Sequence, residues 1–141
     1  MSLFAIGDLH GCPNELDVLL DAIAPGRDDT VVFLGDYVDR GPGVRALVDR
    51  LLRLQQEVFT SVFLRGNHED MLLAHLGIAG RHGDVYLENG GGTTLASYGI
   101  PDGTPGHASL ALLPAEHVEF FRACRLHYVA GSFLFVHAGV R

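Results

Sequence analysis

The sequence predicts an α/β fold: a mostly parallel βαβαβ sheet, followed by a helical insert and a hairpin. In the first half, short apolar runs alternate with amphipathic helical patterns, as parallel strands joined by crossover helices require. Each of the first three apolar runs ends in a glycine-flanked polar block. The second half loses that rhythm, becomes rich in Gly and Pro, and closes on two apolar runs around Ala130-Gly131-Ser132.

Leu3 to Ile6 reads as a short buried strand. Pro13 is suited to the first turn of a helix whose Leu16, Leu19, Leu20 and Ile23 share one face, ended by Pro25-Gly26. Val31 to Leu34 is the second strand. Gly41-Pro42-Gly43 leads into a helix from Val44 to Gln56, with Leu47, Leu51 and Leu54 at helical spacing. Val58 to Leu64 forms the third strand and Glu69 to Leu76 the helix after it. Gly77 to Gly83 is a turn region of small residues, and Glu88-Asn89-Gly90-Gly91-Gly92 precedes a short helix reaching Tyr98. Ile100 to Gly106 reads as a loop. Pro114 starts a helix through Cys124 that sends Val118, Phe120 and Phe121 to the core, and Leu126–Val129 and Phe133–Val136 pair as the hairpin.

Composition narrows the functional classes. With 141 residues, 48% hydrophobic and 19% charged, the chain is expected to be one soluble globular domain. No apolar stretch is long enough to span a bilayer, and Met1 to Ile6 lacks the basic start of a secretion signal. Cys12 and Cys124 are far apart, so neither a disulfide framework nor a zinc ribbon is indicated, and the cytoplasm is the expected compartment. A formal charge of −7 opposes binding to duplex nucleic acid or an anionic membrane. It does not oppose a phosphate substrate, because bound divalent cations reverse the local sign.

The polar blocks carry the chemistry. Gly7-Asp8-Leu9-His10-Gly11, Gly35-Asp36-Tyr37-Val38-Asp39-Arg40-Gly41, Gly66-Asn67-His68-Glu69 and His137-Ala138-Gly139 all follow strands. Ligands of open α/β sheets bind beyond the carboxyl ends of the strands, so these blocks can converge there. Asp8 and His10 alternate in an extended segment and can face one ion; Asn67 and His137 offer further donors. Carboxylate, amide and imidazole suit manganese, with iron or zinc as alternatives. Two neighbouring cations need a shared carboxylate, and Asp36, from a central strand, is the natural bridge. With Asn67 coordinating, His68 is free to donate a proton, Asp39 can orient its imidazole, and Arg40 offers a fork for phosphate.

Blander readings suit other residues. Arg65 braces its loop, Cys12 packs, and Glu69 favours the start of the helix it opens. His75, His82, His107, His117 and His127 read as surface or core residues with satisfied hydrogen bonds. Gly90 to Gly92 lacks the strand and Lys of a P-loop and is expected to shape the rim of a cleft.

GDLHG, GDYVDRG, GNHE and HAG, in this order, resemble the signature of the phosphoprotein-phosphatase branch of the calcineurin-like metallophosphoesterases. The likeness runs from Phe4 to Arg141, with GDYVDRG its most specific part. Asn89-Gly90-Gly91, and HAG followed by Val140-Arg141, resemble the bacterial and phage members, among them serine/threonine phosphatases and symmetrical diadenosine tetraphosphatases. The resemblance implies one metal on Asp8, His10 and Asp36, and a second on Asp36, Asn67 and His137. It implies phosphate binding by Arg40, substrate contacts from Asn67 and His68, and His68–Asp39 as general acid and orienter.

The family fold is an αββα sandwich, and this chain resembles its N-terminal part. A further histidine ligand and a second phosphate-binding arginine follow HAG in the family. Residues 1–141 are therefore expected to form one metallophosphoesterase domain that is incomplete at its C-terminus. The implied activity is phosphate-ester hydrolysis at a dinuclear centre with a bridging hydroxide, like that of a protein serine/threonine phosphatase, on a phosphorylated protein or a small phosphate ester. A dinucleoside polyphosphate is the alternative substrate, and a non-catalytic metal-binding fragment the alternative role. A nucleotide-binding α/β module is disfavoured, since GDLHG stands where GxGxxG would.

Overall fold

A computed structural model of the chain describes residues 1–139. Strands β1 (Leu3–Ile6), β2 (Thr30–Phe33) and β3 (Thr60–Phe63) form a parallel sheet in sequence order, with Ile6, Phe33 and Phe63 in one register row. Helices α1 (Pro13–Ile23) and α2 (Val44–Leu54) make the two crossovers, and α3 (Asn67–His75) follows β3.

Alternation along β2 explains the layering. Val31 and Phe33 join the main core with Leu16, Leu47, Leu51, Leu54, Phe120 and Phe121. Val32 points to the other face and packs with Val62 and Leu64, against which Leu34, Tyr128 and Phe135 lie. Helices thus cover one face and the hairpin the other, which is why β2 reads as an unbroken apolar run.

The second half begins with a 3₁₀ turn (Gly83–Val85) and a wide turn over Leu87–Gly91, broken at Gly90 by φ 98°. Short helices α4 (Gly92–Ser97) and α5 (Gly106–Leu110) and the longer α6 (Ala115–Ala123) come next. Arg125 then bridges in parallel to Leu64, and β4 (His127–Ala130) pairs antiparallel with β5 (Phe133–Val136). Among the described residues no helix is long and apolar enough to cross a membrane.

The predicted order of elements is present, with local corrections. Leu19 turns partly outward from the face shared by Leu16 and Leu20. β3 begins at Thr60 rather than Val58, whose side chain is exposed. α2 ends at Leu54, where the apolar spacing stops, and α5 stands where no helix is predicted. Five residues give too little periodicity to register in the sequence.

Candidate metal centre

Two loops at the carboxyl ends of β1 and β2 are bonded to each other. The Asp36 carbonyl accepts the N–H groups of Leu9 (3.0 Å) and His10 (2.9 Å), and the Tyr37 carbonyl accepts that of Gly11 (2.9 Å). His10, Asp36, Asp39 and Arg40 all have φ between 36° and 72°. Such values are sparse for residues with a side chain, least so for Asp and His, and cost about 1–3 kcal/mol each. Surrounding structure must hold them, and Glu69 is a principal part of it. Its buried carboxylate accepts N–H bonds from Asp36 (2.8 Å), Tyr37 (2.7 Å), Val38 (3.2 Å) and Gly66 (2.9 Å). Burial, and after it the Asp36 charge, push the Glu69 carboxyl up to about 7, while those N–H groups pull it down. Gly35 and Gly66 allow the two loops to touch: a Cβ on Gly35 would lie 2.5 Å from the Gly66 nitrogen, and one on Gly66 would strike Asp36 Oδ1.

The side chains of Asp8, His10, Asp36, Asn67 and His137 meet above these loops. His10 Nε2 lies 3.9 Å from Asp8 Oδ2 and 3.7 Å from Asp36 Oδ2. His137 Nε2 lies 3.4 Å from Asp36 Oδ2 and 3.0 Å from Asn67 Oδ1. Donor atoms of Asp8, Asp36 and His137 fall within 4.8 Å of one another, as do those of His10, Asp36 and His68. Asp36 belongs to both groups.

The donor set fits divalent cations. His10 Nδ1–H donates to the Val38 carbonyl and His137 Nδ1–H to the Leu34 carbonyl, each at 2.8 Å. That tautomer leaves both Nε2 lone pairs facing the carboxylates, the usual support of a metal-binding imidazole. Burial works to raise the Asp36 carboxyl, but His137 and the His68 N–H hold it below the ordinary value. Asp36 in turn lifts the His137 imidazole to about 9, against its partial burial. A metal at that nitrogen competes with the proton.

Beside the cluster sits a buried dyad. His68 Nδ1 and Asp39 Oδ2 are 2.6 Å apart, and the His68 ring meets His10 edge-on at 4.8 Å. Asp39 Oδ1 accepts bonds from Tyr86 Oη (2.7 Å) and Thr94 Oγ1 (2.6 Å). Arg40 is exposed, has no carboxylate partner among the described residues, and brings Nη1 to 3.4 Å from His10 Nε2. On the Asn67 and His137 side an open cleft of about 960 Å³ passes Arg81 and His82 and reaches Leu126, Val129 and Leu134 of the hairpin region.

The structure therefore brings together all eight residues singled out in the sequence: Asp8, His10, Asp36, Asp39, Arg40, Asn67, His68 and His137. Arg65 braces its loop, bonding the Arg122 carbonyl at 3.0 Å and lying 3.7 Å from Asp70. His117 is buried with both ring nitrogens paired, to Tyr98 and Asp49, but His75 Nε2 is buried without a partner among the described residues, contrary to expectation. Three contributors escape sequence reasoning. Glu69 shows only as a helix-start residue, whereas its side chain reaches back to the Asp36 loop. Tyr86 and Thr94 carry no signal, since nothing in their spacing links them to Asp39. Val140 and Arg141, which bear part of the bacterial resemblance, lie outside the described residues.

Known proteins resemble this chain along most of its length. Residues 1–140 match the calcineurin-like phosphoesterase family. A symmetrical bis(5′-nucleosyl)-tetraphosphatase of Acidovorax ebreus (strain TPSY) is 33% identical over 150 aligned residues, covering 99% of this chain and 44% of that protein. Another of that name, from Janthinobacterium sp. (strain Marseille), is 42% identical over 77 residues, covering 52% of this chain and 26% of its own. The crystal structure of a cold-active protein-tyrosine phosphatase from a psychrophilic Shewanella superposes with a TM-score of 0.70 at 22% identity, over 99% of this chain and 42% of that one. At that identity the likeness concerns the fold. The chain thus spans less than half the length of the full-chain relative it matches.

Proposed function

Since the chain belongs to the calcineurin-like phosphoesterases, we propose that it hydrolyses phosphate esters or anhydrides with the help of two divalent cations, manganese first among them. The observation that carries this is the position of one carboxylate, Asp36, whose Oδ2 lies 3.7 Å from His10 Nε2 on one side and 3.4 Å from His137 Nε2 on the other. Asp8, His10 and Asp36 would hold one ion, and Asp36, Asn67 and His137 the other. Bound there, the ions would polarise the phosphoryl group and lower the pKa of water.

The other steps belong to the chain. Arg40, free of carboxylate partners among the described residues, presents its guanidinium to phosphate oxygens. Water displaces the leaving group at phosphorus, and the departing oxygen takes a proton from His68 Nε2. Asp39, on the opposite ring nitrogen at 2.6 Å, accepts the Nδ1–H and fixes the tautomer and orientation of the ring.

Of the two substrate classes, a dinucleoside polyphosphate has the better support. Full-chain similarity at 33% is to a protein named for that activity. The cleft beside Asn67 also combines a guanidinium, Arg81, with apolar hairpin side chains, as phosphates joined to a nucleoside require. A phosphoprotein substrate rests on the motif resemblance alone. The test is turnover of 4-nitrophenyl phosphate and diadenosine tetraphosphate with manganese, iron or zinc. We expect metal-dependent release that chelation and Asp36→Asn both abolish; equal turnover in Asp36→Asn would refute the assignment.

A further inference from the structure

We propose that Tyr86 and Thr94 are positioning residues for the proton donor: their hydroxyls lock the Asp39 carboxylate so that one of its oxygens serves His68 alone. The inference rests on the reading of His68 as general acid.

Asp39 is fully buried, and among the described residues its carboxylate has no Arg or Lys partner. Hydrogen bonds engage both of its oxygens. Oδ1 takes both hydroxyls, Tyr86 at 2.7 Å and Thr94 at 2.6 Å, while Oδ2 takes His68 Nδ1 at 2.6 Å. A carboxylate free to rotate would divide itself among its donors; with Oδ1 doubly engaged, rotation breaks two bonds at once. Thr94 also accepts the Asp39 N–H at 2.8 Å, so one hydroxyl ties down both backbone and side chain of a residue at φ 72°. Burial pushes the Tyr86 hydroxyl well above its ordinary range, so it stays a donor.

The insert grips the same loop once more. The Gly90 carbonyl accepts the Arg40 N–H at 3.4 Å, and a Cβ on Gly91 would strike the Tyr86 ring. The segment from Tyr86 to Thr94 is therefore a support of the acid as well as the rim of a cleft.

Leaving-group chemistry separates this role from mere packing. Expulsion of 4-nitrophenolate needs little proton transfer, whereas an alkoxide needs much. Tyr86→Phe and Thr94→Val should lower kcat on an alkyl phosphate roughly tenfold more than on 4-nitrophenyl phosphate, short of the roughly 10²–10⁴ expected for His68→Asn. Thr94→Ser, which keeps the hydroxyl, should restore the ratio. Proton NMR of the full chain adds a readout independent of turnover. The downfield Nδ1–H signal lost in His68→Asn should shift or broaden in Tyr86→Phe and Thr94→Val, and return in Thr94→Ser. An unmoved signal, with equal losses on both substrates, overturns the inference and leaves the acid in place. If His68→Asn itself shows neither the selective loss nor a missing signal, the general-acid reading fails, and the inference falls with it.

Discussion

Asp36 and His137 face the same cluster from opposite footings. Asp36 follows β2, whose Val31, Val32 and Phe33 are fully buried, and its loop is bonded by Glu69 and by the β1 loop. His137 follows β5, on a hairpin whose Val129, Phe133 and Leu134 are 59%, 64% and 52% exposed. What holds His137 is its bond to the Leu34 carbonyl, its contact with Asn67, and the packing of Tyr128 and Phe135 on a small cluster. Local stability follows buried contact, so the Asp8, His10 and Asp36 side is preorganised by the core. The Asn67 and His137 side depends on how firmly the hairpin docks. The two halves of the centre should therefore respond differently to damage.

The largest effect should come from Glu69. In Glu69→Ala four buried backbone N–H groups lose their acceptor, each costing about 1–3 kcal/mol if water cannot reach it. Partial relaxation leaves an expected loss of about 4 kcal/mol in urea unfolding of the metal-free chain. Glu69→Gln should be nearly as harmful, because one amide nitrogen must face two N–H donors. A loss below about 1 kcal/mol in both variants would show that the loop holds itself. Leu51→Ala comes next. Its side chain is fully buried in the main core, and truncation should cost about 3 kcal/mol by the same measurement.

How much of this could be read beforehand depended on range. β1, β2 and the start of α1 at Pro13 were legible because strand and helix signals are local, as was the order of the four polar blocks. Seven of the eight expected site residues were accessible because they follow the carboxyl ends of β1, β2 and β3, which share one edge of the parallel sheet, while His137 follows β5 of the hairpin. Leu19 was misplaced because four leucine-type positions spread over more of the helix than one face can bury. Glu69, Tyr86 and Thr94 were out of reach, since the Asp36–Asp39 loop they hold lies 31 to 55 residues distant or depends on turns such as Leu87–Gly91. Glu69 carried the closest thing to a warning: an acidic side chain right after Asn67-His68, in a block already rich in chemistry.

A smaller contrast concerns metal affinity. Titration calorimetry with manganese should resolve a tighter and a weaker event. His10→Ala should weaken the tighter one at least tenfold, about 1.4 kcal/mol, while His137→Ala should leave it and remove the weaker. Equal loss of both events in both variants would mean that the two positions fill only together, and that the core-mounted half is not preorganised.

The smallest expected effect bears on the hairpin itself. Phe133 sits mostly in solvent, its ring 6.3 Å from that of Phe135. If docking relies on Tyr128 and Phe135 facing Val32, Val62 and Leu64, then Phe133→Ser removes little buried area. Unfolding free energy should change by no more than about 0.5 kcal/mol, as for surface substitutions generally. Phe135→Ala, by contrast, cuts into the cluster and should loosen the hairpin, weakening manganese binding at His137 more than global stability. The pair isolates the face that matters. If Phe133→Ser destabilises as much as Phe135→Ala, the outer face of the hairpin is bearing weight in solution, and the difference drawn between the two halves of the centre disappears.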